Sequence, residues 1–204
     1  MQTEINYDIV FDAQQHFRLL LDSMSRPGKI NSFPVIDILP PEGLSQAAAL
    51  VGFALLNSDV TCFIAGDKVN DVSGYFLVNT GTQHAEISMA DYIFLPENYY
   101  ADDLSEARIG VPTYPEDSAT LVALAGHVDE HPFEGSWQIT LKGPGVNGES
   151  IVYVSGINPL LLDFIKEQNS EYPLGLDLII ADRGNQILCI PRSNTISFSQ
   201  TGQE

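Results

Sequence analysis

The chain has 204 residues, of which 44% are hydrophobic and 18% are charged, and 27 acids against 9 bases give a formal net charge of −18. This length and apolar content allow a sizeable core, and they exclude a disordered chain or a coiled coil as the whole protein. The acidity also disfavours nucleic acid and anionic membranes as partners, because phosphate binding needs clustered Lys and Arg.

The sequence favours a cytoplasmic protein. No apolar run approaches the roughly 20 residues that span a bilayer. The first residues, MQTEINYDIVFD, carry acids where a secretory signal carries Lys or Arg. Between Glu86 and Glu134, eleven acids accompany a single base, Arg108. Solubility accounts for this acidity, and a docking face for a basic partner is the alternative.

An amphipathic helix is predicted over residues 12–25. Asp12 is expected to be its N-cap, with Gln15 completing a capping box, and Pro27 ends it. Apolar residues at three- and four-residue spacing are expected to face inward: Ala13, Phe17, Leu20, Leu21 and Met24. A histidine in the same segment, His16, is expected at the edge of this face.

The next segments alternate between helix and strand. A second helix is predicted over 45–56 and a buried strand over 60–65. Short strands are expected at 75–78 and 92–95, a short helix or loop at 98–108, and a loop at 110–115. The apolar run 119–128 fits either helix or strand.

The remaining chain predicts further strands and one helix. A strand at 137–141 leads into a Gly-Pro-Gly turn, and Asn158-Pro159 opens a helix that continues to about residue 168. Segments 176–181 and 186–190 are predicted to form a hairpin, and a last strand is predicted at 195–198. The interleaving favours one α/β domain over residues 1–204, with a mixed sheet flanked by helices.

The histidines and cysteines suggest little chemistry. His127 and His131, in GHVDEHPF, are expected to be exposed loop residues; the alternative is a metal site with Asp129 or Glu130 as third ligand. His84 lies among polar residues without an evident partner. Both cysteines, Cys62 and Cys189, lie in apolar runs and are expected to be buried free thiols without a metal or redox role.

Common catalytic signatures are missing, among them GxGxxG, Walker, GxSxG and HExxH patterns. The acid pairs Glu116–Asp117 and Asp102–Asp103 remain as candidates, although a catalytic pair needs environments that separate its two pKa values. Bases beside a glycine turn can bind phosphate or phosphonate. On that ground the candidate ligand-binding residues are Lys142, Gly143, Gly145 and Arg192. Surface charges paired with acids are the alternative.

Six short motifs follow one another along the chain: FRLLLDSMSRPGKI at 17–30, a D-x-T element within 57–63, PEDSATL at 115–121, LKGPGV at 141–146, PLGLDLI at 173–179 and PRS at 191–193. Each string is loose on its own, but the order and spacing are specific. Together they resemble the PhnH family, the H subunit of the bacterial carbon–phosphorus lyase core complex. The resemblance covers about residues 11–199.

The resemblance implies a fold similar to the core of pyridoxal-phosphate-dependent transferases, without that cofactor or any other. It implies a homodimer that joins the G, I and J subunits. That system, the alpha-D-ribose 1-methylphosphonate 5-triphosphate synthase, couples ATP to the activation of alkylphosphonates for phosphate scavenging. No catalytic residue and no metal site is implied.

Structural motif positions are all that the resemblance carries over: Met24, Pro27, Gly28, Gly143, Gly145, Pro173, Gly175, Asp177, Pro191 and Arg192. Lys142 departs from the family pattern, which has a small polar residue before Gly-Pro-Gly. The leading hypothesis is therefore a subunit that supports phosphonate activation by assembly. An independent transferase or hydrolase, with Lys142 or Arg192 holding an anion and Asp177 or an acid pair as base, is the alternative. A binding module for a phosphorylated small molecule is the third hypothesis.

Overall fold

The computed structural model of this chain describes residues 7–202. Its helices are α1 (Phe11–Ser25), α2 (Gln46–Leu55), α3 (Val69–Thr80) and α4 (Pro159–Gln168), with 3-10 turns at Ile87–Met89, Asp102–Glu106 and Asn169–Glu171. Its strands are β1 (Asn31–Ser32), β2 (Thr61–Ile64), β3 (Gln83–His84), β4 (Tyr92–Leu95), β5 (Ile109–Val111), β6 (Tyr114–Ser118), β7 (Thr120–Leu124), β8 (His127–Asp129), β9 (Trp137–Lys142), β10 (Ser150–Ser155), β11 (Asp177–Ala181), β12 (Gln186–Ile190) and β13 (Thr195–Gln200).

A seven-stranded mixed sheet forms the centre, in the order β1-β12-β11-β7-β4-β2-β3. Strands β11, β7, β4, β2 and β3 are parallel, whereas β12 runs antiparallel to both β11 and β1. Parallel strands need both faces covered. In β7, Leu121 and Ala123 accordingly face one hydrophobic cluster, while Val122 and Leu124 face the other.

The two clusters separate three layers. Helices α1, α2 and α3 cover one face of the central sheet. The other face packs against α4 and a four-stranded antiparallel sheet of order β13-β9-β10-β8. Strands β5 and β6 form a separate hairpin. The predicted mixed α/β architecture is therefore confirmed.

The observed helix α1 differs from the predicted one in two respects. Its first turn is held by Asp8, whose carboxylate accepts hydrogen bonds from Val10 N at 2.8 Å and Phe11 N at 2.9 Å, so the expected Asp12 cap is wrong. The predicted inward face is wrong in part, because Phe17 is 47% exposed and Leu21 is 57% exposed. The side of α1 that packs inward carries buried His16, Leu20 and Ser23.

The strand predicted at 75–78 is wrong, because these residues belong to α3. Gly81, at φ 81°, ends this helix in the left-handed region that glycine adopts without steric cost. Helices α3 and α2 meet closely at Gly52, where an added Cβ would lie 2.3 Å from the Phe76 ring. Tertiary packing therefore stabilises a helix in a segment whose residues favour a strand.

Other predicted elements are confirmed with shifted bounds. Ser45 caps α2 by accepting a hydrogen bond from Ala48 N at 3.1 Å, and Asn158 caps α4 by accepting one from Leu160 N at 3.0 Å. The β11–β12 hairpin forms as predicted, with Asn185 at φ 67° in its turn. The ambiguous run 119–128 resolves into β7 and the start of β8, and the loop expected at 110–115 lies in the β5–β6 hairpin.

Candidate functional site

One of the predicted ligand-binding residues, Arg192, lies at the amino-terminal end of the parallel strands. Arg192 follows β12 and faces Asp177, the first residue of β11. Its Nη2 donates to Asp177 Oδ2 at 2.9 Å, its backbone N donates to Oδ1 at 2.8 Å, and its Nη1 donates to the Pro115 carbonyl at 2.6 Å. The guanidinium is thus engaged by protein groups, and Asp177, the candidate base, is engaged by Arg192.

The glycines of the Gly-Pro-Gly turn serve a close approach between motifs. Gly143 has φ 138°, and an added Cβ would lie 2.9 Å from Asn194 Nδ2. Gly145 has φ 81°, and its Cβ would lie 2.4 Å from the Ser25 carbonyl oxygen. Asn194 is buried and donates from Nδ2 to the Pro144 carbonyl at 3.2 Å. The segments 25–28, 143–145 and 191–194, which belong to three different motifs, therefore contact one another.

Lys142, which directly precedes the Gly-Pro-Gly turn, lies on the surface. It is 61% exposed and forms an ion pair with Glu149, with Nζ and Oε2 3.2 Å apart. The acid pairs proposed as catalytic, Glu116–Asp117 on β6 and Asp102–Asp103 in a 3-10 turn, are likewise exposed. The structure thus brings Asp177 and Arg192 together, and it places Lys142 and the acid pairs on the surface.

A crevice lies at the opposite end of the same strands. After β2 the chain passes through α3 to β3 on one side, and it then returns to β4 on the other side of β2. Ligands of open α/β sheets bind outside the carboxyl ends of strands where the strand order reverses in this way. At this point a cavity of about 410 Å³ is lined mainly by apolar groups: Leu44, Ile64, Ala65, Val72, Phe94, Leu95, Tyr99 and Leu124.

The charged side chains at the rim of the crevice form ion pairs. Lys68 lines the cavity and donates to Glu42 Oε2 at 3.0 Å, which raises the pKa of the lysine. An adjoining recess of about 420 Å³ contains Arg183 and Glu97, joined by a two-pronged ion pair whose Nη2–Oε2 contact is 2.9 Å. This arrangement suits a small, largely apolar ligand, with two cations available at the rim if their partners move.

A second polar cluster surrounds Asp182, which directly follows β11. Asp182 is fully buried, and its carboxylate accepts hydrogen bonds from three backbone groups: Gly184 N at 2.7 Å, Gln186 N at 2.8 Å and Val128 N at 3.2 Å. His127 Nδ1 lies 3.3 Å from Asp182 Oδ2. Residue 127 opens strand β8, so the expectation that it lies in a loop is wrong, although its exposure is confirmed.

The other histidines and the cysteines have separate environments. His16 is fully buried, which contradicts the expected edge position, and burial lowers its pKa. Both cysteines are buried free thiols, as predicted. Burial raises the pKa of Cys62 to about 11 and raises that of Cys189 further. Sequence reasoning missed the crevice and the His127–Asp182 contact, since each joins residues from distant segments.

The fold and crevice define an α/β protein with a mixed seven-stranded sheet and a candidate ligand site at its strand-order reversal. Comparison with known families adds a specific assignment: the profile described as "Bacterial phosphonate metabolism protein (PhnH)" matches residues 6–197. The chain belongs to the PhnH family, as its motif order indicated. No helix among residues 7–202 has the length and apolar character needed to cross a membrane.

Two curated relatives align over most of this chain. One, from Stutzerimonas stutzeri, is named "Putative C-P lyase subunit protein HtxG" and is 30% identical over 185 residues, covering 91% of this chain and 86% of the relative. Another, from Rhizobium meliloti (strain 1021), is named "Alpha-D-ribose 1-methylphosphonate 5-triphosphate synthase subunit PhnH". It is 25% identical over 191 residues, covering 93% of this chain and 92% of the relative.

Proposed function

We propose that this chain is a subunit of a carbon–phosphorus lyase complex and acts by assembly rather than by its own catalysis. The family match over residues 6–197 carries the proposal, and the subunit names of both relatives support it. In this proposal the chain is a single cytoplasmic domain that joins the G, I and J subunits. It supports their ATP-dependent activation of alkylphosphonates. The likeness to a cofactor-free pyridoxal-phosphate transferase core stays a prediction.

The assembly includes a homodimer, for which α1 offers a self-complementary surface. Phe11, Phe17 and Leu21 of α1 are 74%, 47% and 57% exposed. Acidic Asp8 and Asp12 lie at the start of this helix, whereas Arg18, Arg26 and Lys29 outnumber Asp22 around its end. Antiparallel packing of two copies of α1 therefore buries the apolar residues and brings opposite charges together.

The dimer proposal is tested by a double variant, Phe17→Glu with Leu21→Glu. Like charges introduced on both copies are expected to convert the dimer to a monomer in analytical ultracentrifugation. Val35→Glu is the matched control, because Val35 is 86% exposed and lies outside α1. A double variant that stays dimeric, or a control that dissociates equally, contradicts the placement of the interface on α1.

The subunit proposal itself is tested by co-expression. A tagged copy of this chain is expected to retain the other three core subunits in fixed stoichiometry through affinity and size-exclusion steps. Recovery of this chain alone counts against the proposal. It then favours the second candidate, a small-molecule binding module, which rests on the apolar cavity of about 410 Å³ at the strand-order reversal.

A further inference from the structure

The cavity at the strand-order reversal has walls made of core side chains. Ile64, Phe94 and Leu124 lie at the carboxyl ends of β2, β4 and β7. Leu44, from the segment before α2, and Val72, from α3, add to the apolar lining. All five residues are at most 8% exposed, so packing in the core holds their side chains in place. The volume of about 410 Å³ lies near the lower end of the range for small-molecule pockets, so the cavity fits a small apolar group.

Lys68 places a positive charge at the mouth of this cavity. Its stem lies against Gly43, where an added Cβ would be 3.0 Å from Lys68 Cγ. Its ammonium donates to Glu42 Oε2 at 3.0 Å. This ion pair is open to water, because the Glu42 side chain is 85% exposed and that of Lys68 is 44% exposed. Ion pairs this exposed contribute little to stability, so another carboxylate can replace Glu42 on Lys68 at small cost.

The acids around Lys68 limit the charge of a ligand that it can bind. Glu42 raises the pKa of Lys68 through its hydrogen bond, and the charges of Asp71 and Asp67 raise it further. The ammonium is therefore charged at neutral pH. A ligand that displaces Glu42 still faces Asp67 and Asp71, which repel every negative charge that it carries. Lys68 balances one such charge, and a second one is left without a partner.

We propose that this cavity binds a small, singly charged acid, whose apolar chain lies between the core side chains and whose head group replaces Glu42 on Lys68. Arg183, at the adjoining recess, keeps its two-pronged ion pair with Glu97. The ligand class is that of short-chain carboxylic acids. This site adds to the assembly role, since all of the residues that form it belong to one chain.

Isothermal titration calorimetry of the full chain with hexanoate tests the proposal. Hexanoate is expected to bind saturably, with one molecule per chain. Acetate lacks the apolar chain and hexanol lacks the charge, so each is expected to bind at least about 10-fold more weakly. Hexylphosphonate in its doubly charged form is expected to bind less tightly than hexanoate. Tighter binding of this dianion contradicts the proposed charge of the ligand.

Two variants at the rim are expected to change the affinity for hexanoate in opposite directions. Lys68→Met removes the cation and should weaken hexanoate binding about 10-fold, while the binding of hexanol changes less than about 2-fold. Glu42→Gln removes the competing carboxylate and should strengthen hexanoate binding about 2- to 5-fold. Lys142→Met is the matched control, because Lys142 forms a similarly exposed ion pair with Glu149 away from the cavity lining.

Leu124→Phe tests the apolar part of the site. The larger side chain is expected to occupy part of the cavity and to weaken the binding of hexanoate and hexanol alike, at least about 5-fold. A thermal transition shows that this variant folds, and the rim variants keep the test valid if it does not.

Three results would overturn the proposal: no saturable binding of hexanoate, equal changes in Lys68→Met and Lys142→Met, or weaker binding in Glu42→Gln. The titrations need no other subunit, whereas the assembly role is tested by co-expression. Failure of one proposal is therefore distinguishable from failure of the other.

Discussion

Arg192 donates two hydrogen bonds to the carboxylate of Asp177, one from its backbone nitrogen at 2.8 Å and one from Nη2 at 2.9 Å. Both side chains are about one-fifth exposed, at 19% and 21%. The contact ties the end of β12 to the start of β11, and the third bond, to the Pro115 carbonyl, adds the β5–β6 hairpin. Two residues that sequence reasoning offered as an anion ligand and a base therefore hold three strands in place.

Replacing Arg192 by Met is expected to destabilise the protein by about 2–3 kcal/mol, because it removes the charged partner of a largely buried carboxylate. Lys142→Met is the matched control: its ion pair with Glu149 is exposed, so the change should stay within about 0.5 kcal/mol. Urea unfolding of both variants measures the difference. Equal stability of the two variants means that Arg192 does not have this structural role.

Gly145→Ala and Gly74→Ala are expected to change stability in opposite directions. At Gly145 the positive φ and the Ser25 carbonyl oxygen, 2.4 Å from the added Cβ, predict a loss of about 2 kcal/mol or more. At Gly74, inside α3, nothing lies within 4 Å of the added Cβ. Alanine should stabilise that helix by about 0.5–1 kcal/mol. Thermal unfolding of both variants gives the sign, and a tolerated Gly145→Ala contradicts the close approach of the motifs.

Because the His16 side chain is buried, the free energy of unfolding is expected to depend on pH. Burial, only partly opposed by Asp12, holds its pKa below the ordinary value of 6.5. Between 6.5 and the lowered pKa the unfolded chain binds a proton that the folded chain does not, so stability falls as pH falls through this range. The loss is at most about 1.4 kcal/mol per pH unit.

His16→Phe isolates this effect, because Phe33 and Tyr7 already surround the ring at centroid distances of 4.9 and 5.6 Å. The difference in unfolding free energy between wild type and variant should change with pH only below about pH 6.5. A difference that is constant over the whole range shows that His16 titrates normally in the folded state.

The two cysteine thiols are expected to react slowly with thiol reagents in the folded protein. Both are buried, and burial raises their pKa values, that of Cys62 to about 11. Ellman's reagent is therefore expected to leave the native protein unmodified and to titrate both thiols once guanidinium unfolds it. Rapid reaction of the native protein contradicts the burial of one of these side chains.

The sequence predicted most elements that carry a local signal. The caps at Ser45 and Asn158 and the turn before Gln186 are short-range chemistry, and the structure confirms them. The prediction of a strand at 75–78 was wrong, because four residues with strand propensity are too few to indicate a strand reliably. Packing of Phe76 against Gly52 of α2 stabilises a helix there instead.

The inward face of α1 and the crevice were harder to predict. Apolar residues occur around most of α1, so periodicity does not distinguish buried Leu20 from exposed Leu21. The crevice joins loops after β2 and β4 with the segment before α2, and it depends on strand order, which no single segment encodes. Likewise, His127 and Asp182 are 55 residues apart and meet only in the fold.

Native mass spectrometry of the co-purified assembly tests directly whether this chain is a subunit of a carbon–phosphorus lyase complex. The chain is co-expressed with the other core subunits, and the intact mass and the masses of its subcomplexes are measured. We expect one dominant assembly that contains this chain in a stoichiometric ratio with its partners. A mass corresponding to this chain alone, with the other subunits assembled without it, would show that this chain is not a subunit of the complex.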